Sequence, residues 1–177
     1  MPSILKVARL GNPVIRKAAE TVPRETLHSA EIQRLIDEMI VTMHEYEGVG
    51  LAAPQVHLSK QIAVIEVANN RRYPGEGPIP LTVLVNPKIL RISKKQVEDW
   101  EGCLSVEGFR GRVPRAETLE VEALNRKGEK VRFEAHGFFA RVIQHECDHL
   151  LGKVFLDRMP DLKTLTHLQE FVRYWQD

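Results

Sequence analysis

This chain lacks most of the features that announce a specialised class. It has only two cysteines in 177 residues, so no disulfide scaffold holds it together. No window carries the apolar run that a membrane span requires. Aromatic residues make up 6%, and there is no low-complexity tract, internal repeat or linker-like stretch. Charge of either sign is not in excess: 25 Lys and Arg face 24 Asp and Glu, for a formal charge of +1. That balance argues against dedicated nucleic-acid binding. The start of the chain, Met1 to Lys6, has neither a signal peptide nor an Arg- and Ser-rich transit pattern. What remains is an ordinary globular composition, 43% hydrophobic and 28% charged, and enough chain for one domain, residues 1–177, with a real core.

The most informative residues are His145-Glu146-Cys147-Asp148-His149. On an α-helix four residues advance about 6 Å and turn roughly 400°, so both imidazoles share one face and can grip one divalent cation. Glu146 sits about 100° from His145, near enough to reach a water there but badly placed to be a ligand. Phe138, Phe139, Val142 and Ile143 before the motif, and Leu150 and Leu151 after it, predict a buried helix, with Gly152 as its stop. An open tetrahedral site needs a third protein ligand. Other histidines and the acids are candidates, but Cys103, within Glu101-Gly102-Cys103-Leu104-Ser105, has the best context. Cys147 falls about 200° from His145 and should face away from a metal. A third segment, Gly48 to Gln55 (GVGLAAPQ), is uncharged and rich in small residues. By itself it reads as a tight turn ending in a surface Gln.

These three segments, in this order, resemble those of the peptide deformylase family: a glycine-alanine loop ending in Gln, a Glu-Gly-Cys-Leu-Ser segment and a Gln-His-Glu-x-x-Asp-His-Leu helix. The likeness runs from Arg9-Leu10-Gly11-Asn12-Pro13 to the last helix. It implies removal of the formyl group from the N-terminal formyl-methionine of new polypeptides, in a bacterial cytoplasm. It also implies one divalent metal on Cys103, His145 and His149: ferrous iron in the cell, with zinc, nickel or cobalt suiting the same donors in purified protein. Glu146 becomes the base, and Gln55 with the Leu104 backbone N–H become oxyanion donors. Val49, Gly50 and Gly102 match positions whose backbone holds the peptide extended, and Arg110 one that touches it further along. Glu101 and Arg115 resemble a pair bracing the Cys103 loop, and Gln144 and Asp148 would support the ligands. Asp148 would orient an imidazole or pair with an arginine. Arg141 stands where an aliphatic side chain often lines the methionine pocket; its stem would lie along that pocket with its head in water. A ribosome-docking helix, known in some relatives, would need more basic residues than Lys163 and Arg173 supply. Two rivals are a metallopeptidase acting on ordinary peptide bonds and a non-enzymatic metal-binding module. The first more often draws its third ligand from a downstream His or Glu. The second would saturate four positions.

The expected fold is α+β, mainly antiparallel sheets packed around the metal-binding helix, with an N-terminal and a short C-terminal helix. Ile32, Leu35, Ile36, Met39, Ile40 and Met43 predict a helix over 31–45, with Ser29 as its cap. Residues 62–67 and 81–85 read as strands, 69–80 as an exposed loop, and 119–135 as a hairpin turning at 125–128. A helix after Pro160 is expected to bury Leu162, Leu165, Leu168, Val172 and Trp175.

Overall fold

The computed structural model describes residues 2–68 and 77–176. Two antiparallel sheets flank one central helix. The larger sheet has five strands in the order β1-β2-β3-β6-β7, formed by Gly50–Ala52, Ile62–Val67, Ile79–Ile92, Thr118–Leu124 and Lys130–His136. The smaller has three, β4 (Gln96–Cys103), β5 (Val106–Ala116) and β8 (Thr166–His167). The helices are α1 (Arg24–Leu27), α2 (Ala30–Glu45), α3 (Gly137–Leu150) and α4 (Leu168–Tyr174). None among the described residues is long and apolar enough to cross a membrane.

At β2 the large sheet is covered on both faces, which explains the near-continuous apolar run of that strand. Ile62 and Val64 pack against Leu35, Ile36, Met39 and Met43 of α2. Ile65 points the other way, into a cluster with Ala140, Val142 and Ile143 of α3. Five large side chains of α2 are buried: Ile32, Leu35, Ile36, Met39 and Met43. At about 1.5–3 kcal/mol each, their burial outweighs any helix propensity. Ser29 caps α2, accepting the Ile32 N–H at 3.3 Å.

The end of α3 is fixed by Gly152 in the left-handed region, φ 73°. The Gly152 N–H reaches the His149 carbonyl at 3.1 Å and the Lys153 N–H that of Asp148 at 2.9 Å, a Schellman motif. Any side chain on Gly152 would run into the Arg16 backbone. The helix therefore stops just past His149.

Three expectations need revision. β4 and β5 were not foreseen, because Gln96–Cys103 is charge-rich and Val106–Ala116 holds two glycines and a proline. They form a hairpin closed by a two-residue turn, Leu104-Ser105, between the paired Cys103 and Val106. The strand expected over 81–85 spans Ile79–Ile92, so Ile79 and Pro80 leave the expected loop; residues 69–76 of that loop lie outside the described residues. The terminal helix buries none of its residues: Leu168, Val172 and Trp175 are 40%, 53% and 58% exposed, and Leu162 is exposed too. Only one side of α4 meets the body, where Phe171 stacks edge-on against Trp100 at 5.1 Å. Among the described residues no element covers the rest.

Candidate active site

α3 supplies the centre of the site. His145 and His149, one turn apart, bring their Nε2 atoms to 3.2 Å of each other. The Cys103 Sγ, at the end of β4, lies 3.2 Å from His149 Nε2. All three donor atoms fall within 4.8 Å of one another. A tetrahedral metal with bonds of about 2.1 Å to nitrogen has an N–N edge of about 3.4 Å, so the two imidazoles already stand at ligand spacing. Among the described residues this is the one such cluster of three metal-binding side chains. Cys103 gets there through a register shift between Glu101 and Cys103, the kind of bulge that re-aims a side chain.

Electrostatics suit a cation. Burial opposes ionisation of the Cys103 thiol, but His149 and His145 outweigh it and hold the thiol well below its usual range. Burial alone would lower His145, yet its contacts with Cys103 and Glu101 keep it well above normal. His145 Nδ1 donates to Glu101 Oε2 at 2.9 Å, which turns Nε2 towards Cys103. Among the described residues His149 Nδ1 has no hydrogen-bond partner. Glu146 is fully buried beside them, and burial pushes its carboxyl up to about 7. Its Oε2 is a buried acceptor with no hydrogen bond among the described residues. A soft thiolate, two imidazoles and an unsatisfied carboxylate oxygen fit a divalent metal with a water.

A brace lies behind the donors. The Arg115 guanidinium grips Glu101 through two bonds of 2.8 and 3.0 Å and donates to Asp148 at 2.6 Å. Asp148 thus takes the arginine-pairing option, with Arg158 as its second partner at 2.6 Å. Orienting an imidazole falls to Glu101 instead. Gln144 ties α3 to β5 by exchanging hydrogen bonds with the Ala116 backbone at 3.1 and 3.0 Å.

Arg141 corrects an expectation. It lines the cleft, but its head is not in water. Its guanidinium is buried and donates to Glu101 at 2.8 Å and to the Val113 and Val97 carbonyls at 2.9 and 2.6 Å. A carboxylate and two strand carbonyls replace hydration, so the head lies under the hairpin. Nothing in the local sequence announced those carbonyls, because β4 and β5 were themselves unforeseen.

The segment 48–55 is not a surface turn. Val49 is followed by β1, which pairs with β2 from Gly50↔Ile65, and by a 3-10 helix, Ala53–Val56. Gln55 is 2% exposed. The Ala52 N–H donates to its Oε1 at 2.9 Å, which fixes the amide. The amide Nε2 then donates to Ser105 Oγ at 3.2 Å and points at Cys103 Sγ, 3.5 Å away. Ser105 was not singled out by sequence, although it lies in the same Glu-Gly-Cys-Leu-Ser segment. A Cβ on Gly50 would collide with the Glu146 carboxylate, and one on Gly102 with the Arg110 guanidinium.

One cleft gathers Val49, Gly50, Gln55, Gly102, Cys103, Leu104, His145 and Glu146, walled by Phe138, Arg141 and Val142. Arg110 lies behind Gly102 of that cleft and lines an adjoining groove that also borders Cys103 and Leu104. Cys147 points away and only partly into the core beside α3, with burial pushing its thiol up to about 12.

Comparison with known proteins fits this geometry. The family model for polypeptide deformylase matches residues 4–165. Peptide deformylase 2 of Nostoc sp. is 44% identical over 93% of this chain and 92% of its own. Peptide deformylase 2 of Pseudomonas putida is 42% identical over 89% of each. The crystal structure of class I type b peptide deformylase from Acinetobacter baumannii, with Met-Ala-Ser bound, superposes with a TM-score of 0.87 at 42% identity, covering 90% of this chain and all of that one. With family, fold and a thiolate-imidazole site in agreement, this chain belongs to the polypeptide deformylases, metal-dependent hydrolases that remove N-formyl groups.

Proposed function

We propose that residues 1–177 act as one catalytic domain on the formyl-methionine end of newly made polypeptides, in a bacterial cytoplasm. The observation that carries this is Glu146: a buried carboxylate oxygen with no partner, beside three converging metal-binding donors. Cys103, His145 and His149 would hold one divalent cation. Ferrous iron is the cellular choice, and zinc, nickel or cobalt suit the same donors. When bound, the metal supplies Lewis acidity, polarising a carbonyl oxygen and easing ionisation of water.

The chain's own groups do the rest. Glu146 takes a proton from the water whose oxygen adds to the formyl carbon. A carboxyl near 7 can both accept and return a proton at neutral pH. The Gln55 amide and the Leu104 backbone N–H donate to the oxygen that gains charge as the carbon becomes tetrahedral. Glu146 Oε then passes its proton to the amine nitrogen as the C–N bond breaks, giving formate and a free N-terminus. Val49 and Gly50 lie at the edge of the large sheet, and Gly102 on β4 at the edge of the small one. An extended peptide can add its backbone between them. Phe138, Val142 and the Arg141 stem form the wall for the methionine side chain.

Anaerobic protein loaded with ferrous iron should release formate from formyl-Met-Ala-Ser and leave acetyl-Met-Ala-Ser intact. Failure to release formate at any metal loading would refute the reading.

A further inference from the structure

A side-chain amide nitrogen carries two hydrogens, and a reacting oxygen in the cleft can meet only one of those on Gln55. The other needs an acceptor, because an unpaired buried N–H is costly. Gln55 Oε1 accepts the Ala52 N–H at 2.9 Å, so the amide cannot flip without losing that bond. The directions of its two N–H bonds are then set. Along one, Ser105 Oγ accepts at 3.2 Å. Along the other, Cys103 Sγ stands 3.5 Å away, in the cleft. Ser105 is itself held from several sides. It is buried, and with Leu104 it forms the turn between the paired Cys103 and Val106. Its N–H donates to Cys103 Sγ at 3.4 Å. Its carbonyl accepts the Leu10 N–H at 2.7 Å, and the Gln55 carbonyl accepts the Ala8 N–H at the same distance. One stretch of backbone, residues 8–10, therefore ties the Gln55 and Ser105 main chains together. The Ser105 hydroxyl ties Gln55 to that turn a second time, through the side chains. The Leu104 N–H lies on the same turn.

We propose that Ser105 is a positioning residue of the oxyanion site: its hydroxyl takes one Gln55 N–H and so reserves the other for the formyl oxygen. The proposal rests on the functional reading above, which makes Gln55 an oxyanion donor. Ser105 acts through Gln55 and donates nothing to the substrate itself. Without the hydroxyl, the amide has one anchor at Oε1 and two unassigned hydrogens, and it can tilt about that anchor. A tilted donor is misplaced for the tetrahedral oxygen, where charge develops, more than for the bound carbonyl. A hydroxyl that only filled a buried gap would affect stability, whether or not Gln55 were present.

The test is a double-mutant cycle on metal-loaded protein with formyl-Met-Ala-Ser. Ser105→Ala removes the hydroxyl alone, since the backbone bonds to Cys103 and Leu10 need only main-chain atoms. It should keep its metal and lose about tenfold in kcat, the scale of one buried hydrogen bond, with KM moved less. In a Gln55→Ala background the same change should cost less than about twofold, because the group it positions is gone. In zinc-loaded Ser105→Ala, one proton of the Gln55 side-chain amide should shift upfield in the proton–nitrogen correlation spectrum, the pair being assigned by its loss in Gln55→Ala. Equal losses in the two backgrounds, an unaltered kcat in Ser105→Ala, or an unmoved amide pair would overturn the proposal. Should Ser105→Ala fail to hold metal, the spectrum of the unaltered protein decides. One Gln55 amide proton displaced downfield supports the proposal, and a pair at free-amide positions overturns it. A loss in Gln55→Ala without one in Ser105→Ala defeats this proposal alone. No loss in Gln55→Ala, or no formate from the unaltered protein, defeats the functional reading of Gln55 and this proposal together.

Discussion

Replacing Arg115 with Ala should destabilise the protein by about 3 kcal/mol, the lower end of the range for breaking a buried ion pair. The structure sets that choice. Arg115 and Glu101 expose only 5% and 4% of their side chains, so water cannot replace the lost guanidinium. Glu101 would keep Arg141 at 2.8 Å and His145 at 2.9 Å, and Asp148 would keep the half-exposed Arg158. Neither carboxylate is stranded alone, which argues against the upper end near 5 kcal/mol. For a chain of 177 residues each kcal/mol moves Tm by about 2–4 °C, so a fall of about 6–12 °C is expected. Urea unfolding in chelator, read by tryptophan fluorescence, isolates this from metal linkage. The pH dependence has a definite sign. Burial would raise the Glu101 carboxyl, but His145 and Arg115 outweigh it and hold it far below its normal range. Such a group contributes stability above the unfolded carboxylate pKa of about 4.3 and loses it as pH falls through the folded value. The gap between the two proteins should therefore be full at pH 7 and shrink below about pH 4. A gap under about 0.5 kcal/mol at pH 7, the usual scale of surface changes, would refute the brace.

Outcomes for four further variants follow from the site. Anaerobic Cys103→Ala should lose most of its metal by elemental analysis; full occupancy with unchanged activity would remove Cys103 from the ligand set. Glu146→Ala should keep metal and lose about 10²–10⁴-fold in kcat, whereas Gln55→Ala should lose about 10²–10³-fold with KM moved less. Near-normal turnover of Glu146→Ala, or a pure KM effect of Gln55→Ala, would end those assignments. Gly50→Ala should displace the Glu146 carboxylate and lower kcat while metal content holds, and a fully active variant would show that the collision is relieved elsewhere.

The helix spacing of His145 and His149 and the turn-and-cap chemistry of Ser29 and Gly152 could be read from the chain because each depends on neighbours within a few residues. The α2 stripe and the 118–136 hairpin are legible for the same reason: periodicity and a local turn decide them. β4 and β5 escape that reading. Their charges, glycines and proline give weak strand propensity, and only pairing with each other makes them strands. Ser105 and the fixed amide of Gln55 were hidden because a side chain 50 residues away decides whether that Gln faces water or the site.

Sequence alone thus determined two imidazoles on one helical face with a carboxyl between them, a pattern carried by contiguous residues; the thiol of Cys103 joined them only through the family resemblance. Tertiary structure decided what environment those groups meet. It buried Glu146 and left its oxygen unpaired, set Glu101 behind His145, drew the Arg141 head under the hairpin and left the apolar face of α4 open beside the cleft. The physical reason is range. Helix phase and caps are settled over a few residues, whereas burial and charge pairing depend on partners 14 to 44 residues apart, which only the folded chain brings together.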